Sequence, residues 1–459
     1  MLVKEQEINE VIVEEISENI NIKPDGYRAV LKNKSFLALW IAQIFSQLAD
    51  RVIFVVFVAV IATKFVSTST APQSFLYVAF TIPAVLLTAV AGVFIDKWNK
   101  KHILIVTNIG RAALIALLPL FSKSLFGIYT LAFMVSAVTQ FFVPAEASTI
   151  PATVKKHQLL SANSLFTATM MGSIIFGFVL GDPLINIFGL KEVYIAISSL
   201  FLLSTISLLF MKYKPTEGEK TQHKTFKEFT DELKDGFAFI KSNPVILNAM
   251  LKLSALFSII VMMCILAISI SQQILYPHHA ALGAQKFVYI VAFSGLGMVI
   301  GSLIVGKFFK KQNKLLTTFT GFTVIGFSMI FLTALKLIPQ GLHIAIPEWH
   351  LAGIYFESFK FTLRMIYCYT FAALLGFGCA MSAIPVQTIL HTNVPEAMRG
   401  KVFGVQFTLL STSSTLPIII AAYAADLIGV INILFLVGIP VALFGVWGIF
   451  KNRRACKQQ

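Results

Sequence analysis

The stretch G-V-F-I-D-K-W-N-K-K, from Gly92 to Lys101, joins the end of one long apolar run, residues 75–95, to the start of the next, residues 103–121. It sets one acid, Asp96, and three cations, Lys97, Lys100 and Lys101, between two runs that carry almost no charge. Such a stretch reads as a short charged turn at a membrane face. A simple lysine-bearing turn needs cations but has no use for an acid at this register, so Asp96 asks for a separate explanation.

The composition agrees with a membrane setting. Hydrophobic residues make up 57% of the 459 residues, charged residues only 13%, and mean hydropathy is +0.80. A soluble chain carries about a quarter charged residues. Apolar runs of about 20 residues recur along the chain, and runs of that length cross a bilayer as helices. The expected class is an all-α polytopic membrane protein. Twelve spans are read, at about 36–63, 75–95, 103–121, 125–142, 160–187, 193–211, 246–271, 287–306, 315–337, 367–390, 402–428 and 430–450.

The polar segment 212–243, with seven lysines against six acids, divides six spans from six. The expected organisation is a cytoplasmic tail (1–34), a first six-helix bundle (35–211), a cytoplasmic central loop (212–243), a second six-helix bundle (244–451) and a short cytoplasmic tail (452–459). The first tail holds seven acids against five basic residues and lacks a cationic start followed by an apolar core, so it is not read as a signal peptide. Ile8, Val11, Ile12, Ile16 and Ile20 recur at helical spacing, which predicts a short amphipathic helix.

Lysine and arginine give the orientation. With both termini inside, 27 of the 37 fall in cytoplasmic segments, seven fall outside (Lys64, Lys123, Lys191, Lys286, Lys336, Lys360 and Arg364), and Arg51, Arg111 and Lys252 lie within spans. This asymmetry predicts a plasma (inner) membrane protein with both termini cytoplasmic. The net charge of +15 then faces the anionic inner leaflet, and no nucleic-acid partner is implied.

An internal repeat supports two halves. Gly92 and Asn99 match Gly306 and Asn313 at an offset of 214, and Val154 and Gly189 match Val394 and Gly429 at an offset of 240. The difference of 26 residues falls between the ninth and tenth spans, in the loop 338–366. Trp349, Tyr355, Phe356, Phe359 and Phe361 suit that loop to a membrane surface.

The spacing from Gly92 through Asp96, Lys97 and Asn99 to Lys100 and Lys101 resembles the loop signature of the major facilitator superfamily, between its second and third helices. Asn99 stands where that signature has a glycine; asparagine tolerates the positive φ that such a glycine serves. The stretches 33–46, 154–165 and 394–404 are similar to the efflux branch that contains macrolide exporters and the enterobactin exporter. The resemblance implies two pseudo-symmetric six-helix bundles, a substrate site between them and alternating access. It also implies that Asp96 closes the cytoplasmic side against the amino end of the eleventh helix, near Arg399–Val402, where Arg399 and Lys401 add attraction. Gly92 would allow close helix approach there. The second copy of the loop has Lys310 in place of the acid, so the gate is assigned to the first half.

Candidate cavity and coupling residues lie in the first and third spans. Gln43, Gln47, Asp50 and Phe54 recur at four, three and four residues and share a helix face, turned to a cavity or to neighbouring helices. Asp50, Arg51 and Arg111 are intramembrane charges, and such charges are functional candidates by default. Adjacent in sequence, Asp50 and Arg51 point about 100° apart and are not taken as a pair, so Arg51 must find another acceptor, a carbonyl or a distant acid. Asp50 is read as the proton-coupling group, against its alternative as a permanent structural partner of an arginine. Asp182, Asp426 and Glu146 lie near span ends, where hydration is cheap, and are set aside. Gly172, Gly177 and Gly181 in the fifth span are read as helix-packing positions.

Other chemistry finds no support. The four cysteines lack metal or redox spacing, His278 and His279 have no convergent ligand set, and no Walker sequence is present. The expectation is a secondary transporter, not an enzyme, with no cofactor, no metal and no ATP hydrolysis in this chain. It exports a small, partly apolar organic compound in exchange for protons. Two alternatives stay open: uptake or facilitated diffusion by the same fold, and a lipid-handling or sensor membrane protein.

Overall fold

A computed structural model describes residues 27–65, 71–95, 98–155, 158–213, 226–308, 313–339, 343–346, 349–351, 354–356, 359–395 and 398–457. The helices are α1 (Tyr27–Leu31), α2 (Lys34–Lys64), α3 (Ala71–Ile95), α4 (Lys100–Ala116), α5 (Leu118–Phe121), α6 (Leu125–Thr153), α7 (Leu159–Leu209), α8 (Phe226–Ser242), α9 (Pro244–Ile270), α10 (Ala280–Phe308), α11 (Lys314–Leu332), α12 (Leu363–Asn393), α13 (Arg399–Ile428) and α14 (Val430–Lys457). A π turn, Ser271–Leu275, extends α9, and a 3₁₀ turn, Thr333–Leu337, extends α11.

Eight helical stretches of the described chain are long and apolar enough to cross a membrane, and α3 adds a shorter apolar stretch, Ala71–Leu87. α7 is 51 residues long, about 76 Å of helix and more than two bilayer cores. It is broken at Gly189, whose φ of 75° and ψ of 158° are closed to residues with a Cβ. The two halves of this run both return to the same part of α2, Phe166 accepting from Gln43 and Ser204 donating to Ala42 O. Each of the twelve predicted spans falls on a helix.

The repeat seen in sequence recurs in backbone conformation. Asn99 and Asn313 are the N-caps of α4 and α11, accepting from His102 N–H and Leu315 N–H. Val154 and Val394 are the C-caps of α6 and α12. Gly189 and Gly429 are the two glycines with positive φ among the described residues, at 75° and 86°. Asn33 and Asn243 form a further pair, capping α2 and α9 with side chains that each accept from two backbone N–H groups. Sequence matching does not single out that pair.

One expectation needs correction. Asn99 has φ −64° and ψ 113°, an extended backbone that any residue adopts. It is used for its side-chain oxygen, which satisfies an N–H that an α-helix leaves orphaned at its start, and not for a positive φ. The class is the expected all-α one, with one local addition. The loop 338–366 carries four short strands, β1 (His343–Ile346), β2 (Trp349–Leu351), β3 (Ile354–Phe356) and β4 (Phe359–Thr362). β1 pairs antiparallel with β4 and β2 with β3, which makes one hairpin. Its base is tied down by Arg364, which donates to Ile338 O (2.6 and 3.1 Å) and to Ile274 O (3.0 Å). The proposed amphipathic helix over residues 8–20 lies outside the described residues.

Glycines set the tightest helix packing. α2 runs against α7, where a Cβ at Gly177 would come within 2.7 Å of Arg51 Cβ and one at Gly181 within 2.7 Å of Val55. α10 packs on α12, and α11 on α12 and α14. Between the two groups of helices, α10 meets α2 and α7, and α3 meets α13.

Candidate functional site

The site grows from α2. Its residues Gln43, Ser46, Gln47, Asp50, Arg51 and Phe54 sit in the middle of a 31-residue helix and face other helices. Arg111 arrives from α4 and is fully buried. Its Nη1 donates to both oxygens of Asp50 at 3.1 and 3.0 Å, and its Nη2 donates to Ser46 Oγ at 2.9 Å and to Asn108 Oδ1 at 2.5 Å. The guanidinium lies between Phe142 of α6 and Phe201 of α7, 4.2 and 4.5 Å from the ring centroids. Two aromatic faces and a carboxylate thus compensate the charge. Asn108 passes the network on to Ser204, and Ser204 to Ala42 O of α2.

One turn beyond Phe142, Glu146 is also buried, at 5% exposure, within electrostatic reach of Arg111 and Asp50. Its Oε1 and Arg111 Nε are both enclosed without a hydrogen-bond partner among the described residues. Sequence position alone puts Glu146 near a hydrated span end. The α6 helix in fact continues to Thr153, which carries Glu146 into the interior.

The other predicted residues divide. Gln43 turns into the protein and donates to Phe166 O at 3.2 Å, so it serves α2–α7 packing. Gln47 and Arg51, one turn apart, are partly exposed at mid-helix, and neither makes a hydrogen bond or ion pair with a described residue. Phe54 centres an aromatic cluster with Tyr77 and Phe80 of α3, Phe178 of α7 and Phe287 of α10, centroids 6.1 to 6.4 Å away.

Beyond that cluster, toward the hairpin end of the bundle, α7 and α10 are clasped. Lys286 Nζ lies 2.8 Å from Asp182 Oδ2, and Tyr289 Oη donates to the same oxygen at 2.9 Å. Asp182 is 2% exposed, which corrects the expectation of cheap hydration: α10 covers it. At the same end, Asp426 of α13 accepts from Ala71 N–H at the start of α3.

At the opposite end stands the charged turn. Asp96 and Lys97 lie outside the described residues, as does the surrounding of Gly92. Lys101 donates to Leu209 O and Met211 O, tying the turn to the carboxyl end of α7 rather than to α13. Lys100 is buried at 6% exposure. α13 begins at Arg399, and Lys401 pairs at 2.7 Å with Asp235 of α8. A Cβ at Gly236 would come within 2.7 Å of Lys401 O. Lys401 is thus already engaged by a helix that packs on both α3 and α13, a contact that the sequence does not announce.

The Major Facilitator Superfamily model matches residues 39–368. The chain belongs to that superfamily. As a superfamily member it is 26% identical over 408 residues to the uncharacterized MFS-type transporter YfiS of Bacillus subtilis (strain 168), covering 88% of this chain and 89% of that protein. It is 25% identical over 325 residues to the enterobactin exporter EntS of Shigella boydii serotype 18, covering 69% of this chain and 67% of that one. In fold it is similar to the nucleoside transporter NupG, with a TM-score of 0.64, 11% identity and coverage of 90% and 98% of the two chains. It is likewise similar to a POT family transporter in complex with a thioalcohol-conjugated peptide, with a TM-score of 0.64, 11% identity and coverage of 91% and 96%. The superfamily membership makes the chain a membrane transporter of small molecules.

Proposed function

We propose that this transporter is a proton-coupled exporter of a small, partly apolar organic compound, working by alternating access between two six-helix bundles of a twelve-helix fold. Both termini face the cytoplasm, and the hairpin end faces outside, as the lysine and arginine distribution favours. The observation that carries the coupling is the ion pair between Asp50, partly exposed at mid-helix, and the fully buried Arg111. A carboxylate in the membrane interior whose charge is held by one arginine has two stable conditions: ionised and paired, or protonated and released. A rearrangement of α2 against α4 that lengthens the pair favours proton uptake, and its return expels the proton. The clasp of Asp182 by Lys286 and Tyr289, the aromatic cluster around Phe54 and the contact of Ala71 with Asp426 all join the bundles toward the hairpin end, which supports reading this conformation as closed to the outside. Asp96, with the turn that carries it, is assigned the closing contact on the cytoplasmic side. The similarity to EntS favours export over uptake.

The test is Asp50→Asn in proteoliposomes with an imposed proton gradient, read with a panel of antibiotics, siderophores and metabolites first screened for accumulation in a deletion strain. The expected result is a folded protein that exchanges substrate but does not drive it uphill. Undiminished proton-driven transport removes Asp50 from the coupling.

A further inference from the structure

Arg51 is the charge that the coupling pair leaves over. It sits at mid-helix in α2, beside an Asp50 whose two oxygens are both taken by Arg111. Its stem is wedged against Gly177, where a Cβ would come within 2.8 Å of Arg51 Cγ. α7 therefore holds the Arg51 stem in place. The guanidinium reaches no acceptor: Nε is enclosed without a partner, and no described residue hydrogen-bonds or ion-pairs with Arg51. The titratable groups within its electrostatic reach are Asp50, Tyr77 of α3 and Cys264 of α9. Arg51 thus lies where helices of both bundles converge. A guanidinium at mid-helix with no hydrogen-bond acceptor of its own, beside a carboxylate already taken by Arg111, is costly in a membrane, and such charges mark substrate or ion pathways.

Two neighbours shape what that anion is. Gln47, four residues before Arg51 on the same helix, is partly exposed and makes no hydrogen bond with a described residue, so its amide is available one turn away. Phe54, on the other side, opens the aromatic cluster with Tyr77, Phe178 and Phe287. A fixed cation and an amide next to a wall of rings suit a molecule with an acid group at one end and an apolar, planar body at the other. We propose that Arg51 and Gln47 bind the acid group of the transported compound and that Phe54 and Tyr77 bind its body, so that the substrate class is aromatic organic anions. This rests on the transport reading above and narrows it.

The probe is 1-naphthoate against 1-naphthamide, which share a ring system and differ in charge. Affinity for the purified full chain is measured by equilibrium dialysis at neutral pH. The wild type is expected to prefer naphthoate by at least about tenfold, the scale of one charge-assisted contact. Arg51→Gln removes the preference, Arg51→Lys keeps part of it, and Gln47→Leu reduces it while leaving the cation. Gln47 has no hydrogen bond to lose in the fold, so Gln47→Leu decides the matter if Arg51→Gln does not fold. Equal affinity of the wild type for both probes, binding of neither, or an unchanged preference in the folded variants overturns the proposal. Proton-driven flux of an uncharged apolar dye by the wild type distinguishes the two failures: with that flux intact, only the anion assignment falls.

Discussion

Lys286 of α10 places its ammonium 2.8 Å from the carboxylate of Asp182 on α7, and both side chains are largely removed from water. The pair joins helices on either side of the central loop and lies toward the hairpin end, where Tyr289 donates to the same carboxylate oxygen. Breaking a buried pair by removing one partner leaves the other charge uncompensated, which costs about 3–5 kcal/mol in the state that contains the pair. A state in which α7 and α10 have separated and water has entered does not bear that cost. Lys286→Met is therefore expected to shift the population toward a form open at the hairpin end. A cysteine introduced at Phe287, which packs on Phe54 and Phe178 across that contact, should then be labelled by a membrane-impermeant maleimide at least about tenfold faster than in the parent, since allosteric shifts of about 1–3 kcal/mol are typical. Adding Asp182→Asn should return the rate most of the way. Unchanged labelling in Lys286→Met denies the pair a gating role.

The cytoplasmic gate is a second prediction. Asp96→Asn, which removes the acid from the turn, should lower transport while leaving insertion intact; Lys310→Asn, in the copy that lacks the acid, should matter much less. Equal losses at equal expression would show that the two turns do equivalent work.

Gly429 provides a test of backbone conformation without steric interference. Its φ is 86°, and a Cβ built there meets nothing within 4 Å, whereas at Gly189 a Cβ lies 3.2 Å from Glu192 Oε2. Gly429→Ala should thus lower thermal stability through the dihedral alone, by about 1–3 kcal/mol, and Gly189→Ala by a similar or larger amount. Detergent-solubilised unfolding temperatures measure both. Stability unaffected by Gly429→Ala would mean that the joint between the last two spans relaxes to an ordinary turn.

Features that lie along one helix or one turn are legible in the amino-acid sequence. Apolar runs locate helices, and the pairs Asn99 with Asn313 and Gly189 with Gly429 occupy like positions in the fold because each does its work locally, as a cap or a positive-φ joint. Features made between helices are not legible in this way. Asp50 stands out as an acid in an apolar run, but its partner Arg111 lies 61 positions away on another helix. Asp182 and Glu146 run against the sequence expectation because nearness to a span end does not measure hydration. Burial is decided by what covers the residue: Asp182 is covered by α10, and Glu146 sits inside a helix that runs past the predicted span. Lys101 reads as part of the gate in sequence, yet its ammonium satisfies the carbonyls at the end of α7, a use that only the folded chain defines.

Arg111 gives the sharpest separation of structural from coupling roles. It is the cation against which Asp50 is held and within whose electrostatic reach Glu146 lies, with Phe142 and Phe201 enclosing it. Arg111→Gln leaves the buried Glu146 and the partly exposed Asp50 without their cation. Asn108 and Ser46 lose their donor as well. A loss of about 3–5 kcal/mol is expected, visible as reduced yield and a lowered unfolding temperature. Asp50→Asn in that background removes one of the two acids and should recover part of the loss; adding Glu146→Gln should recover more. The decisive comparison is in function. If the pair is only structural, the neutralised triple variant, once folded, drives substrate uphill with protons as well as the parent does. If the pair couples, the triple variant folds and exchanges substrate but accumulates none against its gradient. Uphill transport by that variant at parental rates would assign the whole cluster to the architecture of the first bundle and leave the proton site to be sought elsewhere.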